Sequence, residues 1–200
     1  MFEIIEERKL GNKKIQIRYD DNPWNPRDLD GNLCKMVCFH KRADLGDEHD
    51  YEDKNEFIYD LLRKVFKSNA KVEEIIEREN ERSRTEMEAD NNLFESISHK
   101  YVVKKLYLYQ HGGMTMSLNP FHCPWDSGVV GWIYVDKKKA QKEYKLLSNE
   151  RIECEVDLYD KYIRGNVYAY LLFEDDDVVD GCSGFFNIED VYKECPEFSA

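Results

Sequence analysis

Long apolar runs are missing from this 200-residue chain, so no segment of it reads as a membrane-spanning helix. Missing too are the motifs of nucleotide and metal chemistry. There is no G-x-x-x-x-G-K-[ST] loop, no G-x-G-x-x-G after a strand, no H-E-x-x-H helix, and no G-x-S-x-G elbow around Ser127. P-loop, dinucleotide-binding, zincin and serine-hydrolase readings therefore leave the front rank. The chain has no aromatic-and-basic RNP-type strand, no internal repeat and no low-complexity linker. It also lacks positive charge overall: 29 Lys and Arg stand against 41 Asp and Glu, a formal net charge of −12. Such a chain is a poor general binder of phosphate backbones and suits partners that are themselves basic.

What is present is enough to fill a core. The chain is 42% hydrophobic, with 13 Tyr, 10 Phe and 3 Trp, and its length fits one ordinary domain. The opening MFEIIEERKLG is too short and too acidic for a secretory signal. Cys34, Cys38, Cys123, Cys154, Cys182 and Cys195 are accordingly expected as reduced thiols in a cytoplasm.

Periodicity supplies the elements. Ile15, Ile17 and Tyr19 alternate with polar residues as one strand, and 33–40 reads as a second. Between 55 and 66 the period changes: Phe57, Ile58, Leu61, Leu62, Val65 and Phe66 lie on one helical face, with Asp53 as N-cap. Another helix starts near Ala70, with Val72, Ile75 and Ile76 inward, then loses its apolar stripe. The spacing predicts a charged helical insertion at about 70–100. The second half is a meander: 103–110 and 114–118 about His111-Gly112-Gly113, a strand after the 119–128 loop, and a last hairpin about 174–177. A lysine-rich helix at 136–147, with Ala140, Tyr144 and Leu147 inside, and a helix capped by Ser148 interrupt it. The expectation is a single α+β domain: a largely antiparallel sheet of hairpins with packed helices.

Charge is segregated. Residues 47–60 hold seven acids and one lysine, 73–90 eight acids and three arginines, and 174–200 nine acids and one lysine. Solubility alone explains such faces as readily as function does. His111 could present an imidazole at a hairpin tip, and Asp126, in Cys123-Pro-Trp-Asp-Ser-Gly, could act as a base. A tight turn and an internally bonded turn carboxylate are the plainer readings. His40, Asp47 and His49 could gather around a metal, but their spacing matches no zinc pattern. No cofactor is expected.

Three blocks carry a resemblance: DNPWNPRDLDGNLCKMVCFHKRADLGDEHDY, LYLYQHGGMTMSLNPFHCPWDSGVVGWIYV and VYAYLLFEDDDVVDGCSGFF. Together they cover about half of the chain and resemble a family of small phage and prophage proteins, HGG with CPWDSG being the most specific part. The family carries no assigned catalytic residues. The resemblance implies a phage accessory protein in the cytoplasm of a bacterial host cell. It would bind and inhibit an anti-phage defence protein or ribonucleoprotein, as anti-CRISPR proteins do.

Acidic surfaces bearing Glu73, Glu74 and Glu77, or Asp175, Asp176 and Asp177, would make that contact. Trp24, Phe121 and Trp125 are candidate aromatic anchors. Direct nucleic-acid binding and membrane contact are not expected. The alternative is a metal-assisted hydrolase of a nucleotide or nucleic acid, using His111 and Asp126 with His40, Asp47 and His49.

Overall fold

The computed structural model describes residues 3–144 and 148–199. Strands β1 (Ile4–Leu10), β2 (Lys13–Tyr19) and β3 (Lys35–Cys38) precede helices α1 (Lys54–Phe66), α2 (Asn69–Arg82) and α3 (Glu86–Ser96). Then come β4 (Tyr101–Gln110), β5 (Met114–Ser117) and β6 (Ser127–Asp136), followed by α4 (Lys137–Tyr144) and α5 (Ser148–Ile163). The chain ends with β7 (Tyr168–Glu174), β8 (Asp177–Phe185), α6 (Ile188–Glu194) and a 3-10 turn at Pro196–Phe198. The strands form two sheets, β1-β2-β7-β8 and β3-β6-β4-β5, and the fold is α+β with antiparallel pairing.

Contacts group the chain into two units. One gathers the segments up to Asp30, Gln110–Met116 and from Val156 onward; the other gathers Gly31–Tyr109 and Ser117–Glu155.

In the first unit, the alternation of β2 puts Ile15 and Ile17 on one face, where both are fully buried with Tyr170. Val191, Cys195 and Phe198 complete this core. The β7–β8 turn has positive φ at both central residues, Asp175 (49°) and Asp176 (70°), the twist a two-residue hairpin requires. Asp tolerates that region because its short side chain bonds locally. β1 emerges from a stretch with little alternation, and its exposed position at the sheet edge explains why.

In the second unit, α1 begins at the expected Asp53, whose carboxylate accepts the Asn55 and Glu56 N–H groups. Its apolar face packs Phe57, Ile58, Leu61 and Leu62 against Val37, Trp132 and Tyr101 of the sheet. Phe57 is in ring contact with Tyr51, Phe94, Trp132 and Tyr134 at 5.5–6.4 Å. Gly131 lets β3 approach β6: a Cβ there would stand 2.0 Å from the Val37 carbonyl oxygen.

The charged 70–100 stretch is two helices joined to this core. Val72 and Ile75 of α2, and Leu93 with the following Ile97, are buried in it. Two acids are buried as well, Glu79 between Arg78 and Arg82, and Asp90 against Lys54. Glu155 is a third, accepting the Leu33 and Cys34 N–H groups at 2.9 and 3.3 Å while Arg151 Nε donates to it. Ala140 is buried as expected for the lysine-rich helix. Leu147 lies outside the described residues, as do the Tyr144 and Ser148 side chains.

Phe57→Ala is expected to cost about 3–5 kcal/mol in urea unfolding of the full chain, the range for emptying a packed aromatic site. A loss below about 1 kcal/mol would contradict the central place given to this ring.

Candidate functional site

The three acidic stretches look alike in composition and differ in what their carboxylates do. In 47–60 most are committed to the fold. Asp47 accepts the Met36 N–H at 2.9 Å, Asp53 caps α1, and Glu56 accepts the Glu52 N–H at 2.7 Å. Asp60 accepts from the Tyr51 hydroxyl at 2.6 Å and the Lys64 ammonium at 2.7 Å.

The 174–177 hairpin tip is also engaged. Asp175 accepts from Asn12 Nδ2 at 3.3 Å, and Asp176 pairs with Lys14 at 3.3 Å. Asp177 is exposed as the first residue of β8.

α2 is different. Ser68 caps it, and Val72 and Ile75 hold one face down, so the four-residue spacing of Glu73, Glu77 and Glu81 makes an exposed row with about 6 Å between successive residues. None of the three has an ion pair among the described residues. Glu74 does, with Lys71 at 3.0 Å. Like charges at this spacing cost a helix a few tenths of a kcal/mol per pair.

The row borders a hollow of about 620 Å³ lined by Tyr59 and Ile76 with Glu73, Glu77, Asn80 and Glu81. Apolar floor and anionic rim together form a surface that a cationic partner can bury. Glu73 and Glu77 were legible in the sequence. Glu81 and Tyr59 were not singled out, although the repeat of four pointed to Glu81, and Ile76, expected among the inward residues of the helix, lines the hollow.

The remaining candidates are dispersed. The indoles of Trp24 and Trp125 are 75% and 92% exposed, and Phe121 is half-buried against Tyr109 at 5.6 Å. Neither Phe121 nor Trp125 lines the α2 hollow. His111 is exposed beside Gly112, whose φ is 73°. Asp126 sits in a turn closed by Ser127 Oγ donating to the Cys123 carbonyl at 2.5 Å, with Cys123 Sγ 3.5 Å from its carboxylate.

His40 Nδ1 accepts the Ala43 N–H at 3.0 Å. His49 Nε2 donates to the Cys38 carbonyl at 2.9 Å, its ring between Phe39 and Tyr51. Among the described residues no group of three or more His, Cys, Asp or Glu is placed to hold a metal ion.

The Tyr51–Asp60–Lys64 set gives a pH signature. Burial and the Asp60 carboxylate push the Tyr51 phenol up to about 12. Burial alone would lower Lys64, but Asp60 holds it up at about 12. Both groups bind their protons more tightly folded than unfolded. Their contribution is therefore complete below about pH 10 and lost as the pH rises toward about 12. Asp60 runs the other way. Burial would raise it, yet Lys64 and Tyr51 hold it below its usual value, so its share is lost as the pH falls below about 4. Urea midpoints of Tyr51→Phe should decline less steeply through the alkaline window than those of the parent chain; parallel curves would refute the coupling. No family model, curated protein or solved structure matches this chain.

Proposed function

We propose that this chain is a binding protein that docks the α2 row and its hollow on a basic, nucleic-acid-binding surface of a partner, taking the place of a phosphate backbone. The observation that carries the reading is Glu73, Glu77 and Glu81 in one exposed row, none of them in an ion pair among the described residues, while the nearby Arg78 and Arg82 pair with Glu79. Elsewhere the acids at 47–60 and the Asp175–Asp176 tip are largely consumed by caps, turns and ion pairs. Desolvating three such carboxylates is costly unless the partner brings cations, which gives the contact specificity for a basic groove. Tyr59 and Ile76 would supply the apolar area that a purely ionic contact lacks.

The phage resemblance extends the proposal to the partner's identity: a defence protein or ribonucleoprotein of the bacterial host, inhibited by occupation of its nucleic-acid channel. Binding of this kind weakens with salt.

Tagged full-length chain, incubated with lysate of bacteria expressing a defence system, should retain a stoichiometric nucleic-acid-binding protein at moderate salt. Combining Glu73→Lys, Glu77→Lys and Glu81→Lys should weaken retention at least tenfold, while Asp175→Asn leaves it unchanged. Recovery of the chain alone, or equal retention by the triple variant, would overturn the proposal.

A further inference from the structure

β4 spans ten residues, and β6 pairs along one side of it from Tyr101 to Tyr109. On its other side stands β5, which is four residues long and follows after the His111–Gly113 turn. A hairpin partner of that length reaches only the last few residues of β4. Among the described residues no strand pairs the far side of Val102–Lys105, and no other backbone bond there is formed. At one end the Lys137 N–H donates to the Lys100 carbonyl at 2.9 Å, so the start of α4 closes the edge. The result is a length of strand with unmet donors and acceptors.

This edge lies in a hollow of about 650 Å³, within the second unit. Lys104, Lys105 and Lys137 line it, with Glu95 as the acid among the lining residues. Successive strand residues point to opposite faces, so Lys104 and Lys105 bracket the edge from both sides. None of the three lysines has an ion pair among the described residues, in a chain whose net charge is −12. Burial and the charge of Lys54 press the Lys105 ammonium toward its neutral form, Asp90 offsetting part of this. Trp132, directly opposite Lys105 on β6, also lines the hollow. It is 4% exposed, and its indole N–H has no acceptor among the described residues.

We propose that the Val102–Lys105 edge accepts an acidic, extended peptide segment as an added strand, its carboxylates reaching Lys104 and Lys105 on the two faces and Lys137 at the end. Charge complementarity selects the occupant, and the backbone edge selects its kind. A peptide offers both N–H donors and C=O acceptors, whereas a phosphodiester chain has no donor for the edge carbonyls. This surface is separate from the α2 row and opposite in sign, so the two proposals stand or fall independently.

The test uses the full chain and a dye-labelled eight-residue peptide, Glu-Glu-Val-Val repeated twice, which puts carboxylates on both faces of an added strand, read by fluorescence anisotropy. Saturable binding is expected, at least tenfold weaker for the Lys104→Gln, Lys105→Gln double variant and unchanged for Glu73→Gln, Glu77→Gln, Glu81→Gln. Two further peptides, N-methylated at odd or at even positions, keep the charge and block one backbone edge each; one should bind and the other fail. No saturable binding, equal behaviour of the two methylated peptides, or displacement of the parent peptide by octathymidylate as effectively as by its own unlabelled form would overturn the proposal.

Discussion

Phe57 touches Tyr51, Phe94, Trp132 and Tyr134, and through those rings joins the segment before α1, the helix α3 and the central strand β6. An aromatic side chain held on all sides leaves α1 little freedom to roll or slide. α1 in turn sets the course of α2. Lys67 takes a left-handed backbone (φ 57°) with its N–H on the Arg63 carbonyl, and Ser68 caps the next helix at once. Two residues of linker transmit the placement of one helix to the other. The outward row of Glu73, Glu77 and Glu81 thus depends on an aromatic contact some distance from it.

Acidity in this protein is therefore of two kinds. Carboxylates such as Asp53, Asp60, Asp90 and Glu155 hold N–H groups, a hydroxyl or ammonium ions, and their energy is spent inside the fold. Those of the α2 row repel one another and form no ion pair among the described residues. The second kind keeps its charge to offer a partner. Composition treats the two alike; hydrogen-bond partners separate them.

The same distinction marks what could be read before the structure. α1 was visible because six apolar side chains repeat on one face and Asp53 precedes them, and the hairpins about Gly112 and 175–176 because turn residues separate alternating runs. β1 was not: Glu6, Glu7, Arg8 and Lys9 hide the strand pattern at an edge that needs little burial. The charged run after Ile76 reads as a solvated extension because pattern reading assigns every acid to the surface. Glu79 and Asp90 are buried, and the arginines and the lysine that neutralise them lie at separations no apolar stripe reveals. The open edge of β4 was likewise hidden, since it follows from the shortness of β5 rather than from any residue.

The most direct measurement is hydrogen–deuterium exchange of the full chain, free and bound to whatever partner it retains from defence-expressing cells. The account predicts new protection concentrated in the peptides spanning 69–82, with the acidic hairpin tip at 174–177 unchanged. Protection at that tip with α2 exchanging as in the free chain would contradict it.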